Sequence, residues 1–474
     1  MVIAMTARRV RPWRSGAATQ AFAPRLEGQE MDTEGIGQAS TRRGVVRGMA
    51  GGGVGWAALL AACGTGGDQP SQASAPQVTI TYLTDWNGGT RADWVKAAPP
   101  KFTEENPRIQ VQVEIAASSS SEFADSVVAR AAAGTLPDTM LSLGDVPQRL
   151  VRGGAMKDIS PVLKSLKVKM QDVVYVPSTI QVDGKQYGMP FQFNLWSLVV
   201  NKTLFKQNGA ALPTVTTTYP QLVTELQKIA RPADGIYGIE TQKAAWVWFP
   251  YIWAWGGEPV SRDGKKTTLD QPAAIEGLQF YVDLMTRLGV ATPLDASGAG
   301  PKGVSFAAGN LAVANANAPG AGFDKQIDGR FEWDVIWNPL GPKTNSRGVF
   351  VTDKPNMVTA AAAQRGHFDQ AVQFVVWTAG KTAQQLVLEI GTNSWPVSRA
   401  VLGSAKYLAG PPASAKILLD MAPNFKDPLI GLGYLEWRDQ AITPAMIPAF
   451  ANQKSVQDAA KEATRMGDLV LARY

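Results

Sequence analysis

Cys63 is the only cysteine among 474 residues, and it follows Leu60, Ala61 and Ala62 at the end of a short apolar stretch. A single thiol allows no intramolecular disulfide and no cysteine-based metal cluster. Whatever this chain folds into is therefore held by buried apolar surface, and its length is enough for one large core or two. The position of the thiol also predicts where the folded body begins, because the residues before it read as a leader.

Arg42 and Arg43, in Thr41-Arg42-Arg43-Gly44-Val45-Val46-Arg47, resemble a twin-arginine export motif, with valines in place of larger apolar residues. Met49 to Ala62 follows, short and diluted by Gly51, Gly52, Gly53 and Gly55, so it is too weak to remain as a membrane span. Cleavage before Cys63 and lipid attachment to its thiol are expected. Residues 1–62 are then an N-terminal extension and export signal that is removed, with Met31 as the expected start. Residues 63–77, rich in Gly, Ser and Pro, form a lipid-anchored flexible tether. The mature chain is expected outside the cytoplasmic membrane, moored to it as a lipoprotein. Twin-arginine transport suits the motif, and the general secretory route stays open.

Removing the leader changes the electrostatics. It holds eight arginines, no lysine and four acids, so the net charge falls from +6 to about +2, which offers nothing to nucleic acid. His367 is the only histidine, expected exposed at a helix start. His-based metal clusters and nucleophile–histidine catalysis are thereby disfavoured. No Gly-x-Ser-x-Gly and no phosphate-cradling Gly-rich loop with Lys occur either, so neither a cofactor, a metal nor a catalytic residue is assigned.

Beyond the tether, Val78 to Leu83 reads as a strand, and Ile109 to Ile115 alternates as a second. A helical segment lies between them, which Pro99-Pro100 is expected to interrupt. Ser119 to Ala133 predicts a helix ended by Gly134, and Thr139 to Leu143 a short buried strand. This is the pattern of a doubly wound α/β lobe. Val182-Asp183-Gly184-Lys185 predicts a hairpin turn. Leu269-Asp270-Gln271-Pro272 predicts the start of a helix with Ile275, Leu278, Val282 and Met285 on one face.

Several segments, in order, carry a family resemblance. Phe102 to Pro107 precedes the second strand, and Gly134-Thr135-Leu136-Pro137-Asp138 the third. Gly153 to Ile159 comes next, then Tyr187-Gly188-Met189-Pro190 running through Asn201-Lys202-Thr203-Leu204-Phe205. Trp255-Gly256-Gly257-Glu258, Phe306 to Asn310 and Gly391 to Val397 follow. Together they resemble the family 1 extracellular solute-binding proteins, the carbohydrate-type receptors of ABC importers to which maltose-binding protein belongs. The resemblance implies a two-lobed α/β fold of the periplasmic-binding-protein kind, each lobe a sheet flanked by helices with the ligand cleft between. It places the crossings between lobes near 191–194, Pro339 and Val401, so that 78–192 plus 340–402 form lobe one and 193–339 plus 403–474 lobe two.

The implied ligand is a sugar or oligosaccharide, whose hydroxyls want paired donors and acceptors and whose C–H faces stack on rings. Among 14 tryptophans, Trp246, Trp248, Trp253 and Trp255 crowd one segment, and at helical spacing Trp246, Phe249, Pro250 and Trp253 share a face. By family position, Asp85 and Trp86 stand in a ligand-contacting loop after the first strand, where Asp85 either accepts hydroxyls or caps a helix. Asp145 matches an aspartate that bonds sugar hydroxyls, with capping as its other role. Asn194 stands where relatives carry a ligand-contacting glutamate. Trp246 and Trp437 match stacking aromatics, and Trp395 either edges the cleft or packs a corner.

The implied mechanism is closure of the two lobes around solute and delivery by a monomeric receptor to a permease, with no reaction. A secreted glycoside hydrolase is the alternative from another class. The same fold binding a glycerol phosphodiester, peptide or polyamine is another, for which Arg149, Arg347 and Arg399 are available.

Overall fold

A computed structural model of the chain describes residues 77–116, 120–144, 146–174, 180–392, 394–427 and 432–474. Arg42, Arg43, Cys63 and all of the expected tether but Gln77 lie outside these residues, as does Asp145.

The strands are β1 (Val78–Thr84), β2 (Ile109–Ile115), β3 (Thr139–Leu141), β4 (Gln181–Val182), β5 (Lys185–Gln186), β6 (Gly188–Asn201), β7 (Tyr237–Ile239), β8 (Leu311–Asn317), β9 (Trp333–Ile336), β10 (Val349–Val358) and β11 (Phe425–Lys426). β4 and β5 form a separate hairpin. Its turn residues Asp183 and Gly184 both have positive φ, 50° and 75°, as a tight two-residue turn between antiparallel strands requires. The others build one mixed sheet in the order β2-β1-β3-β10-β6-β8-β7, with β9 also on β6 and β11 on β10. β1 runs parallel to β2 and β3, the helices Gly89–Glu105 and Ser120–Ala132 making the connections. β10 is antiparallel to β3 and β6 and parallel to the short β11.

β6 positions the site. It is 14 residues long, and all but Asn194 and Trp196 are buried, as in a strand covered on both faces. From Gly188 to Leu195 it pairs with β10. From Trp196 to Val200 it pairs with β8, while Leu198 to Asn201 also pairs with β9. One strand thus carries the sheet from one set of partners to another.

Three apolar cores surround this sheet. The first gathers Ile80, Tyr82, Trp86, Trp94, Phe102, Phe123 and Phe191 with Phe374. The second centres on Trp248, Phe249, Trp253, Tyr281, Trp437 and Phe450. The third collects Phe193, Leu195 and Val199 from β6 with Ala314, Val351, Val375 and Trp395. Met189, Phe193, Leu195 and Val199 of β6 therefore feed the third core, and Phe191 the first.

Several expectations are corrected. Pro99 and Pro100 lie inside the helix Gly89–Glu105 and do not interrupt it. The burial of Trp94, Val95, Ala98 and Phe102 on one side outweighs two missing N–H donors whose partner carbonyls belong to Val95 and Lys96. The helix Pro272–Thr286 buries Leu278 and Val282 and packs Ile275 and Met285, both half-buried, against the same core as expected, and Gly277 and Tyr281 widen that face. Gly277 permits the close approach to the neighbouring helix, because a Cβ there would stand 2.7 Å from the Tyr251 carbonyl oxygen. His367 is half-buried, its Nδ1 lying 3.2 Å from Asp138 Oδ2. Among the described residues no helix is long and apolar enough to cross a membrane.

Candidate functional site

A cavity of about 790 Å³ lies where β6 changes partners, within the size range of small-molecule sites. Side chains at alternate strand positions share a face, so Gln192, Asn194 and Trp196 of β6 line it together. The register sets Lys354, Thr352 and Asn317 opposite them, and all three line it too. A polar ladder results. Trp86 Nε1 donates to Gln192 Oε1 at 3.0 Å, Gln192 Nε2 to Asn194 Oδ1 at 2.8 Å, and Asn194 Nδ2 to Thr352 Oγ1 at 3.1 Å. Asn317 Nδ2 also donates to Asn194 Oδ1, at 3.0 Å. Each amide is oriented by a neighbour before any ligand arrives.

Beside the ladder stands an aromatic platform. The Trp196 and Trp246 rings stack at 5.0 Å between centroids and 21° between planes. The Arg438 guanidinium lies 5.7 Å from the Trp246 ring and 5.2 Å from that of Tyr434, within cation–π range. Arg438 is itself held by Asp439 through two bonds of 2.6 and 2.7 Å. Tyr434, Arg438 and Tyr474 complete this wall, and Ala124, Leu143 and Arg149 belong to the one opposite.

The charges at the floor are paired. Lys354 Nζ meets Asp85 Oδ2 at 3.0 Å, with both side chains nearly inaccessible. Burial pushes the Lys354 ammonium below its usual range, with Asp85 opposing and Arg91 adding to the shift. Arg91, lying over the Trp86 ring, also lines the cavity. Of the arginines considered for a phosphate, only Arg149 is in the lining. Arg347 lies over Trp337 and Arg399 donates to the Val174 carbonyl.

The structure brings together two of the residues expected to bind ligand, Asn194 and Trp246. Asp85 and Trp86 reach the cavity only through Lys354 and Gln192. The other indoles lie elsewhere. Trp253 is buried against Phe249 and Phe350 and donates to Glu258. Trp395 is buried and donates to the Tyr407 hydroxyl at 2.6 Å. Trp437 is fully buried and donates to Thr267 Oγ1 at 2.9 Å.

The reason for Trp253 is that the helix Ala245–Ala254 is apolar all round and buried on every side except at Trp246, as such a helix must be. Trp437 is displaced by angle. Its helical neighbours Tyr434 and Arg438 point into the cavity instead. Gln192 and Trp196 were legible from Asn194 by strand alternation alone, whereas Asn317, Thr352 and Lys354 follow only from register.

Comparison with known families and structures bears on this geometry. The family described as bacterial extracellular solute-binding protein matches residues 87–385. Comparison with curated proteins returns no match. Among solved structures, the chain is similar to an ABC substrate-binding protein from Listeria monocytogenes in complex with cycloalternan, at 19% identity and TM-score 0.71, covering 84% of this chain and 99% of that one. It is similar to the cyclic alpha-maltosyl-1,6-maltose binding protein from Arthrobacter globiformis, at 21% identity and TM-score 0.68, covering 84% and 100%. UgpB from Mycobacterium tuberculosis, in complex with glycerophosphocholine, aligns at 19% identity and TM-score 0.70, covering 84% and 99%. At such identities the likeness establishes the fold, that of two-lobed periplasmic binding proteins with a mixed sheet flanked by helices. With the family match spanning well over half of its length, the chain belongs to the bacterial extracellular solute-binding proteins.

Proposed function

We propose that this protein is an extracytoplasmic receptor that binds an uncharged sugar or oligosaccharide in the cavity at β6 and delivers it to an ABC importer permease, without chemical change. The observation that carries this reading is the oriented amide ladder of Gln192, Asn194 and Asn317 beside the stacked Trp196 and Trp246. Amides supply a donor and an acceptor each, matching hydroxyls, and indole faces match sugar C–H faces. Two cations at the cavity are paired with carboxylates, Lys354 with Asp85 on the floor and Arg438 with Asp439 in the wall, which favours a neutral solute. Arg91 and Arg149 are the lining residues a phosphate ester would use instead. The two relatives solved with or named for cyclic glucans fit this reading, and the glycerophosphocholine complex is the competing precedent.

In this reading 78–192 with 340–402 form one lobe and 193–339 with 403–474 the other. The first core draws only on the former ranges, and the second draws on the latter apart from Phe350. Solute bound to one lobe gains contacts from the other on closure, which shifts the hinge equilibrium to the closed state. Cys63 carries the lipid anchor, and Arg42 and Arg43 belong to the export signal. Replacing Cys63 by Ser should move the expressed protein from the membrane to the soluble fraction.

The central test is a thermal-shift screen of residues 78–474 against neutral sugars, glycerophosphodiesters and polyamines, because a ligand that binds only the folded state raises the melting temperature with its concentration. A concentration-dependent rise with at least one sugar is expected, and no cleavage products should accumulate. A response confined to phosphate esters or amines would overturn the carbohydrate reading.

A further inference from the structure

Residues 149–185 carry seven cations and three acids, all of them aspartate, in a mature chain whose net charge is about +2. The rest of that chain is therefore slightly acidic, and the positive excess is local. It is also exposed. Arg152, Lys157, Lys164, Lys167, Lys169 and Lys185 all face solvent, and none of them forms an ion pair among the described residues. Elsewhere exposed lysines commonly meet a carboxylate, as Lys101 meets Glu104, Lys406 meets Glu389 and Lys416 meets Asp420. Asp158 turns instead to the Ser160 N–H, which donates to its Oδ1 at 2.9 Å. The Ile159 N–H donates to the Gln186 carbonyl at 2.7 Å, and the Gln186 N–H to Ser160 Oγ at 2.9 Å. Lys185 is thereby set beside the stretch from Lys157 to Lys164.

The segment 164–169 is presented firmly. It leaves the short helix Ser160–Ser165 through Lys167, whose φ of 55° is the left-handed turn that closes helices. The Leu166 N–H donates to the Val162 carbonyl and the Val168 N–H to that of Leu163, both at 2.9 Å. Leu163 is buried, and Val162, Val168 and Met170 pack against the third core, so the residues between them are turned outward. Leu166 is left 47% exposed, a large apolar side chain flanked by Lys164 and Lys167. A single exposed leucine says little by itself. Set among unpaired lysines, it matches a surface that is anionic outside and apolar just beneath. A bilayer containing acidic lipids is such a surface, because its headgroups attract cations and its acyl boundary takes up apolar side chains. A soluble polyanion would leave Leu166 without a partner.

We propose that this patch docks the receptor body on the anionic lipids of the membrane to which the Cys63 anchor would hold it. The proposal concerns a surface outside the solute cavity, and it uses the anchor only for proximity. Cys63 lies 15 residues before Val78, and a chain of that length reaches about 50 Å when fully extended. The anchor would thus keep a weak patch close enough to the bilayer to act at high effective concentration.

Vesicle co-sedimentation of residues 63–474 carrying Cys63→Ser, which removes the acyl group, tests the docking. Binding to vesicles of equal parts phosphatidylglycerol and phosphatidylcholine should be at least about tenfold tighter than to phosphatidylcholine alone, and should weaken as salt screens the charges. Lys164→Gln, Lys167→Gln and Lys169→Gln together should remove most of that preference. Leu166→Ser should weaken binding severalfold without changing its salt dependence. As a control, Lys265→Gln, Lys266→Gln and Lys461→Gln remove the same charge from exposed lysines in segments that pack on the second core, and should have little effect. Circular dichroism and melting temperature report folding, and if the Lys164, Lys167 and Lys169 variant unfolds, Leu166→Ser decides alone. Equal binding to both kinds of vesicle, or an equal loss from the control set, overturns the proposal. So does intact vesicle binding by the patch variants together with reduced solute uptake in cells, which would give this surface to a protein partner. Each of these outcomes leaves sugar affinity in solution untouched, so the receptor reading is tested separately by the thermal-shift screen.

Discussion

At the scale of single residues, Trp246 lines the cavity at β6, stacked on Trp196 and faced by Arg438. It is the one half-buried residue in a helix otherwise buried throughout. Trp246→Ala removes the platform while the other indoles keep the core intact. Sugar affinity should fall by about tenfold or more, measured by calorimetry, with circular dichroism unchanged; undiminished binding would detach the platform from the ligand. Asp138 makes a second case, one of stability. Burial raises its carboxyl pKa, but bonds from the Thr81 N–H, Arg365 and His367 outweigh that and hold it below the ordinary carboxylate range. The folded pKa is depressed, so its stabilising contribution is fully present above the unfolded value, near pH 4, and is lost as pH falls through the folded one. Asp138→Asn should lower stability at neutral pH and flatten the acid limb of a melting-temperature profile. An acid limb as steep as the parent's would place that dependence in other carboxylates.

At the scale of elements, the site is a product of strand register. Gln192, Asn194 and Trp196 share a face because strand side chains alternate, and β10 supplies Thr352 and Lys354 because its pairing with β6 sets them opposite. Gly188, at the start of β6, permits that pairing. A Cβ there would stand 2.2 Å from the Asn356 carbonyl oxygen, far inside van der Waals contact and against backbone that cannot swing away. Gly188→Ala should cost roughly 2–3 kcal/mol by overpacking, read from denaturant unfolding, and should also weaken ligand binding by displacing the ladder. A variant as stable as the parent would mean that β10 shifts freely. Helix faces behave differently from strands here. The close approach at Gly277 in Pro272–Thr286, and the burial of Ala245–Ala254 everywhere except at Trp246, were decided by packing against neighbours.

At the scale of the whole molecule, Leu435 joins regions that the sheet keeps apart. Its side chain packs against both the first and the second core, and a Cβ at Gly144 would lie 2.7 Å from its Cγ. The turn after β3 and the segment carrying Tyr434 and Arg438 therefore touch beside the cavity. If solute binding depends on closure, this contact belongs to the closed state, and its loss reduces the binding-competent fraction. Leu435→Ala should weaken sugar binding by about tenfold, an effect of roughly 1–2 kcal/mol from the truncated contact. Small-angle scattering should show a smaller ligand-induced contraction for this variant than for the parent. Equal contraction and affinity would show that the contact does not report closure.

What the sequence determined by itself was whatever depends on local order along the chain. The strand at β1, alternation in β2, the Asp183-Gly184 turn, Gly134 ending a helix and the ordered motifs of the family were all readable, because each is a property of neighbouring residues. Asn194 and Trp246 were nominated on that basis, and both line the cavity. Tertiary structure alone decided which aromatic rings serve the core and which face solvent. Trp253, Trp395 and Trp437 have the same side chain as Trp246, and what separates them is long-range packing around β6, a sum of contacts between residues distant in sequence that no local pattern encodes.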